Sequence, residues 1–276
     1  MSVRTAGVAF MAGALVATLG GLIGLGGAEF RLPILVAGFG FALRRAVHVN
    51  LSVSLVTVTS AAAVRLWLGG AGPTLTSALD VASAMVIGAL LGAWGSTAWL
   101  AGASDAGLHR AIRGLLLALG IALIVEAGLV WKSPGLPLPE SGRVVVAAVI
   151  GFVVGAVSSA LGVAGGELII PALVLAFGID VRTAGTLSVL IALPTIVVGL
   201  ARRPALWVGA ARADLAACVV PMAAGSLVGA AVGGALAAVV PGTALKVVLG
   251  VVLIASALRV FRPHRTGAPP HSRIAA

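Results

Sequence analysis

Ten apolar runs, each separated by a short polar or glycine-rich stretch, set the plan of this chain. They cover about residues 6–24, 30–43, 46–68, 78–101, 109–131, 143–161, 168–179, 184–201, 211–238 and 243–261. An apolar run of roughly 20 residues predicts a membrane-spanning helix. The pattern therefore predicts about eight to ten transmembrane segments. The second run in each group of five is shorter, about a dozen residues at its apolar core, too short for a full span. Each short run starts after a glycine cluster and carries Pro33 or Pro171 in its first turn, where the missing N–H removes no helix hydrogen bond.

The two groups of five are joined by the stretch Lys132-Ser133-Pro134-Gly135-Leu136-Pro137-Leu138-Pro139-Glu140-Ser141-Gly142-Arg143, rich in breakers and charge. It divides the chain into a first transmembrane repeat, 1–131, a linker, 132–143, and a second repeat, 144–262. The basic, proline-containing tail, 263–276, reads as disordered.

The halves are copies. Residues 24–46, GLGGAEFRLPILVAGFGFALRRA, recur without a gap at 162–184 as GVAGGELIIPALVLAFGIDVRTA. Gly24/Gly162, Gly27/Gly165, Glu29/Glu167, Pro33/Pro171, Gly40/Gly178 and Arg44/Arg182 are among the identical pairs. Each copy holds a glycine-rich break, a glutamate and a proline inside apolar sequence. In a membrane protein that combination points to a site built where two half-repeats meet. The same repeat makes the first apolar run a structural unit, not a cleaved leader, because its equivalent lies deep in the chain.

Composition agrees with a membrane protein. Hydrophobic residues are 60% of the chain, charged residues 9%, and the mean hydropathy is +1.18. A soluble domain carries about 25% charged residues. The net charge of +10 is not a nucleic-acid footprint. Its basic residues gather at the ends of apolar runs, as positive-inside loops do. If all ten segments cross and the tail is cytoplasmic, the cytoplasmic ends hold about twice as many Lys and Arg as the outer ends. Five crossings per half would make the repeats inverted. A broken span shared by the first two segments would make them parallel. The charge bias favours inversion. Gly88/Gly92 and Gly225/Gly229/Gly233 lie at i, i+4 spacing and predict close helix packing. Cys218 stands alone in an apolar run, which excludes an internal disulfide or a thiolate metal site. No phosphate-binding, metalloprotease or nucleophile-elbow motif occurs, and His48, His109, His264 and His271 lack metal-ligand spacing. No enzyme and no cofactor is expected.

The candidate chemistry lies at Gly26, Gly27, Ala28 and Glu29 and at Gly165, Gly166 and Glu167. Glycine lets the backbone leave helical geometry at membrane depth, which is tolerated where it is buried or lines a cavity. A helix start beyond such a break offers free N–H groups to an anion; the alternative is a tight helix crossing with no ligand. A charged side chain within the membrane is by default a functional-site hypothesis. Glu29 and Glu167 are therefore candidates for proton coupling, with protonation permitting anion binding and deprotonation expelling it. Capping of the helix starts is their alternative role. Asn50, Ser54 and Thr57 follow i, i+4, i+7 and share one helix face. The matching segment of the second half carries Thr186, Ser188 and Thr195. Uncharged donors here could line a substrate path or bond between helices. Arg31 has no counterpart, since Ile169 takes its place. Arg44 and Arg182 read as topological charges near a membrane face, with pairing to the glutamate or guiding of an anion as the alternative, and Arg65 and Arg203 read as interface anchors. Glu126 reads as snorkelling or pairing locally.

At these residues the chain resembles the TauE/SafE family of sulfite-exporter-like permeases. The carriers are GLGGAEFRLP with FGFALRRA, and GVAGGELIIP with FGIDVRTA. Ala28 and Ala164 stand where the family's glycine run often continues. The resemblance implies two homologous halves and export of sulfite or organosulfonates such as sulfoacetate. It carries to Gly26, Gly27, Glu29, Gly165, Gly166 and Glu167.

The sequence thus leads to an all-α polytopic membrane protein made of two homologous halves, an inverted repeat with two short half-helices. The expected function is a secondary transporter of a small sulfur oxyanion in the inner membrane, with the C-terminus cytoplasmic. Its expected partners are the anionic substrate and the lipid bilayer. The alternatives are a permease for another small anion and a membrane scaffold without transport.

Overall fold

A computed structural model describes residues 3–70, 75, 77–99, 105–129, 134–161, 165–201 and 211–259. Among these residues there are ten α-helices and no strand. They are α1 (Val3–Ile23), α2 (Ala28–Pro33), α3 (Leu43–Arg65), α4 (Leu79–Trp99), α5 (Asp105–Gly128), α6 (Glu140–Leu161), α7 (Gly166–Phe177), α8 (Val181–Ala201), α9 (Ala211–Val239) and α10 (Gly242–Arg259). Each corresponds to one of the ten apolar runs. Two π turns, Ile34–Gly38 and Leu66–Gly70, extend α2 and α3. The tail from residue 260 onward, and with it the expectation of disorder, lies outside the described residues.

Five helices, α1, α3, α6, α8 and α9, contain stretches long and apolar enough to cross a membrane. Large apolar side chains also point outward along several helices, among them Leu15, Trp94, Val145, Val220 and Val251. Helices apolar on both inner and outer faces belong in lipid. The protein is a multi-pass membrane protein.

The helices pair by exchange between the halves. The first helix of each half packs along the fourth helix of the other, α1 on α9 and α6 on α4. The fifth helices, α5 and α10, pair with each other. The third helices, α3 and α8, also touch and lie inside these pairs. Glycine dictates the two matched interfaces. A Cβ on Gly225, Gly229 or Gly233 would strike the carbonyl oxygen of Phe10, Ala14 or Thr18 of α1. A Cβ on Gly88 or Gly92 would strike that of Ala148 or Phe152 of α6. Those are the equivalent positions of the two copies. The reverse contacts are matched too, with Gly13 against the Met222 carbonyl and Gly151 against that of Met85. Small residues allow this approach, and van der Waals packing then holds the helices in lipid.

Glu126 and Lys246 tie α5 to α10 through a 2.8 Å ion pair. The glutamate was expected to snorkel or pair locally; it reaches the other half instead. The residues before α6 dock on α7 through Leu136 N–H, which donates to the Ala176 carbonyl at 2.7 Å.

Candidate functional site

The two short segments start in the same way. Gly27 (φ 67°, ψ 14°) precedes α2 and Gly165 (φ 75°, ψ −2°) precedes α7. Both lie in the left-handed region, which only glycine adopts readily. They also end alike. Gly40 and Gly178 have positive φ, and Phe41 N–H and Ile179 N–H reach back to the Leu35 and Leu173 carbonyls. The segments differ in between. α7 is twelve residues of regular helix, almost wholly enclosed. α2 is six residues before the π turn, and Pro33 is exposed.

The breaks meet at the centre. Gly24 lies so close to Gly185 at the start of α8 that a Cβ would overlap it. A Cβ on Gly166 would come within 3.5 Å of the Gly24 carbonyl oxygen and 3.0 Å of Ser188 Oγ. Glu29 and Glu167, each the second residue of its helix, lie close enough for their carboxyls to interact. Two carboxylates side by side repel one another, and a proton on one relieves that repulsion. Glu29 Oε1 is buried and has no protein partner.

Beside this pair lies Arg31, with no solvent-exposed surface. Its Nη1 donates to Ser54 Oγ at 2.9 Å, Asn50 Oδ1 at 3.4 Å and the Asn50 carbonyl at 3.5 Å. Its Nη2 donates to Thr57 Oγ1 at 3.1 Å and the Gly26 carbonyl at 3.3 Å. Asn50 Nδ2 closes the ring by donating to the Ala28 carbonyl at 3.1 Å. The polar face of α3 therefore holds an arginine. Gly26, Ala28, Asn50 and Ser54 gather around that guanidinium, while Gly27 caps α2 behind them. In the second half Ser188 takes the place of Asn50. Its hydroxyl is fully buried and without a partner.

Thr186 belongs elsewhere. It accepts from Arg65 Nη1 at 3.4 Å and donates to the Arg182 carbonyl at 3.1 Å. Arg65 overturns the expectation of an anchor at the membrane face, because it is 5% exposed. Its Nε and Nη2 bind the Gly21 carbonyl at 3.1 and 2.9 Å, and Nη2 also binds that of Leu22 at 2.9 Å. The last carbonyls of α1 satisfy it. Arg182 is exposed at the start of α8 and donates to the Val240 carbonyl at 2.7 Å. The side chain of Arg44, and Gly162, Val163, Ala164 and Arg203, lie outside the described residues.

Arg31 is the central residue that pattern reading set aside. Its lack of a counterpart says only that any role it has is asymmetric. The signal was present: a lone cation beside the break, opposite donors spaced to share one face. Among the described residues, no three His, Cys, Asp or Glu side chains gather to hold a metal. The residues present are a guanidinium, hydroxyls, an amide and two carboxyls, a set suited to an oxyanion and a proton.

Residues 8–260 match the family described as sulfite exporter TauE/SafE, so the match covers both breaks, both carboxyls and every helix pair. The chain belongs to the TauE/SafE family. No curated protein and no solved structure matches it. Members of this family are membrane transporters, and the TauE/SafE match places this multi-pass chain among them.

Proposed function

We propose that this TauE/SafE protein is a secondary transporter that exports a small sulfur oxyanion across the inner membrane. Sulfite and organosulfonates such as sulfoacetate are the proposed substrates, and protons or the membrane potential the driving force. The halves are proposed to be inverted, with the C-terminus cytoplasmic. The contact between Glu29 and Glu167, at the junction of the two glycine breaks, supports this reading most.

The charge of the cluster gives the mechanism. With both carboxyls protonated, Arg31 leaves it at one positive charge, and an anion is attracted. Loss of one proton makes the cluster neutral. Loss of both leaves one net negative charge, and the anion is repelled. Arg31 and Glu167 are the ionisable groups that face Glu29. Proton movement to and from the pair would thereby load and unload the site, and rocking of one half against the other would change the side it faces.

Proteoliposomes containing the full chain test this with radiolabelled sulfite and an imposed pH gradient. Wild type should carry sulfite, and the gradient should change the rate. Glu29→Gln and Glu167→Gln should each remove the response to the gradient while the protein still elutes as a single species. Wild-type vesicles no more permeable than empty ones would overturn transport. Unchanged gradient dependence in both variants would overturn proton coupling at this pair.

A further inference from the structure

We infer that Arg31 is the charge partner of the transported anion, and that its single positive charge selects monoanions over dianions of the same shape. This rests on the transport reading and narrows it: the residue that binds is named, and the monoanion bisulfite is preferred over sulfoacetate, whose sulfonate and carboxylate make it a dianion at neutral pH.

Three observations carry it. First, Arg31 is fully buried, yet every acceptor of its Nη groups among the described residues is a neutral oxygen. No carboxylate lies within ion-pair distance of its guanidinium among the described residues, and Glu29 acts on it from farther off. The acceptors orient the guanidinium without cancelling its charge. A buried charge without an ion partner is costly, and a charged ligand can supply what is missing.

Second, hydrogen-bonding capacity is left over in this region. Arg31 Nε, Ser188 Oγ and Glu29 Oε1 are all buried and unpartnered. Arg31 lies beside Glu29, Glu29 touches Glu167, and Ser188 abuts Gly166. Two orphan donors and one carboxyl oxygen at the meeting point of two breaks suit a small oxyanion.

Third, the duplication is broken here. Ile169 replaces Arg31 and is itself 1% exposed. Ala192 replaces Ser54, so the second half has no seat for a guanidinium. The other buried guanidinium, Arg65, is taken up by the last carbonyls of α1, so the cluster beside the two carboxyls holds one cation, Arg31. One bound negative charge balances it; a second would stand uncompensated beside two carboxyls.

Methanesulfonate and sulfate isolate that difference, since both present sulfur-bound oxygens and their charges are fixed at neutral pH. Titration calorimetry on the full-length protein in detergent measures each. Wild type should bind methanesulfonate roughly tenfold or more tightly than sulfate. Arg31→Gln keeps amide donors but no charge, and should weaken methanesulfonate about 30-fold or more. Arg31→Lys keeps the charge without the planar fork. It should bind more weakly with the preference intact.

Equal or tighter wild-type binding of sulfate overturns the proposal. So does wild-type methanesulfonate affinity in a monodisperse Arg31→Gln protein. If Arg31→Gln fails to fold, Arg31→Lys decides: a retained preference supports the proposal, and a lost preference overturns it. Wild-type binding of neither anion, with sulfite flux present, overturns the charge assignment and leaves transport standing. Absence of flux as well removes the reading on which it rests.

Discussion

Arg65→Met separates a buried clamp from a surface anchor. Methionine keeps a long, flexible stem but offers no donor. The chain itself explains what would be lost. Gly24 N–H makes the last regular bond of the α1 ladder, to the Gly20 carbonyl at 2.8 Å, and Leu25 N–H turns back to the same carbonyl at 2.8 Å instead of meeting that of Gly21. The Gly21 and Leu22 carbonyls are then taken up by Arg65 at 2.9 Å each. Removal strands two carbonyls in the interior, at about 1–3 kcal/mol apiece. The contacts to the Arg182 carbonyl and Thr186 are longer, at 3.3 and 3.4 Å, and add less. Interhelical hydrogen bonds in lipid average about 0.6 kcal/mol, because the separated helices also find partners. That pulls the estimate toward the lower end, to about 3 kcal/mol. Arg65→Lys, which can serve one carbonyl well, should lose about half as much. Steric trapping in bicelles measures the unfolding free energy directly. A loss below about 1 kcal/mol for Arg65→Met, or equal stability of the Lys variant and wild type, would refute the clamp.

Two further outcomes follow from the pairing of helices. Gly225→Ala and Gly88→Ala should each destabilise by about 1–3 kcal/mol through overpacking, with similar losses because the two interfaces are copies. Their double variant should be additive within about 0.5 kcal/mol, since each residue touches a different helix pair; thermal unfolding in detergent checks both. For topology, a single cysteine replaces Leu136, which is 51% exposed, in a Cys218→Ala background. Ten crossings put it on the side opposite the C-terminus, and four crossings per half put it on the same side. Labelling of intact cells by an impermeant maleimide should occur if the halves are inverted, and its absence would refute inversion.

The ten elements were legible because membrane helices depend on one strong signal, the length of apolar runs between breaks. The breaks were legible because left-handed backbone needs glycine at Gly27, Gly165, Gly40 and Gly178. The glycine strips were legible as packing faces. Their partners were not, since i, i+4 spacing shows a smooth face and says nothing of what lies on it. The exchange of α1 onto α9 and α6 onto α4 is a long-range fact. Glu126 shows the same limit: a carboxylate near a helix end pairs locally or distantly with the same sequence around it.

The two arginines failed for a different reason. Basic residues at the ends of apolar runs are usually topological, and that rule assigned Arg65 to a membrane face. What overrides it is the early ending of α1, which leaves carbonyls in the interior with no N–H to meet them. No pattern in α3 itself reveals that demand. Arg31 has no counterpart in the second half, so the repeat by itself gives it no place in a duplicated site. The structure gives it one. Duplication makes the scaffold, with matched caps, matched glycine contacts and matched carboxyls. On the proposed reading, an arginine in one half and an isoleucine in the other give the cluster a single cation for a single anion, and the departure from the repeat then marks the chemistry better than the repeat does.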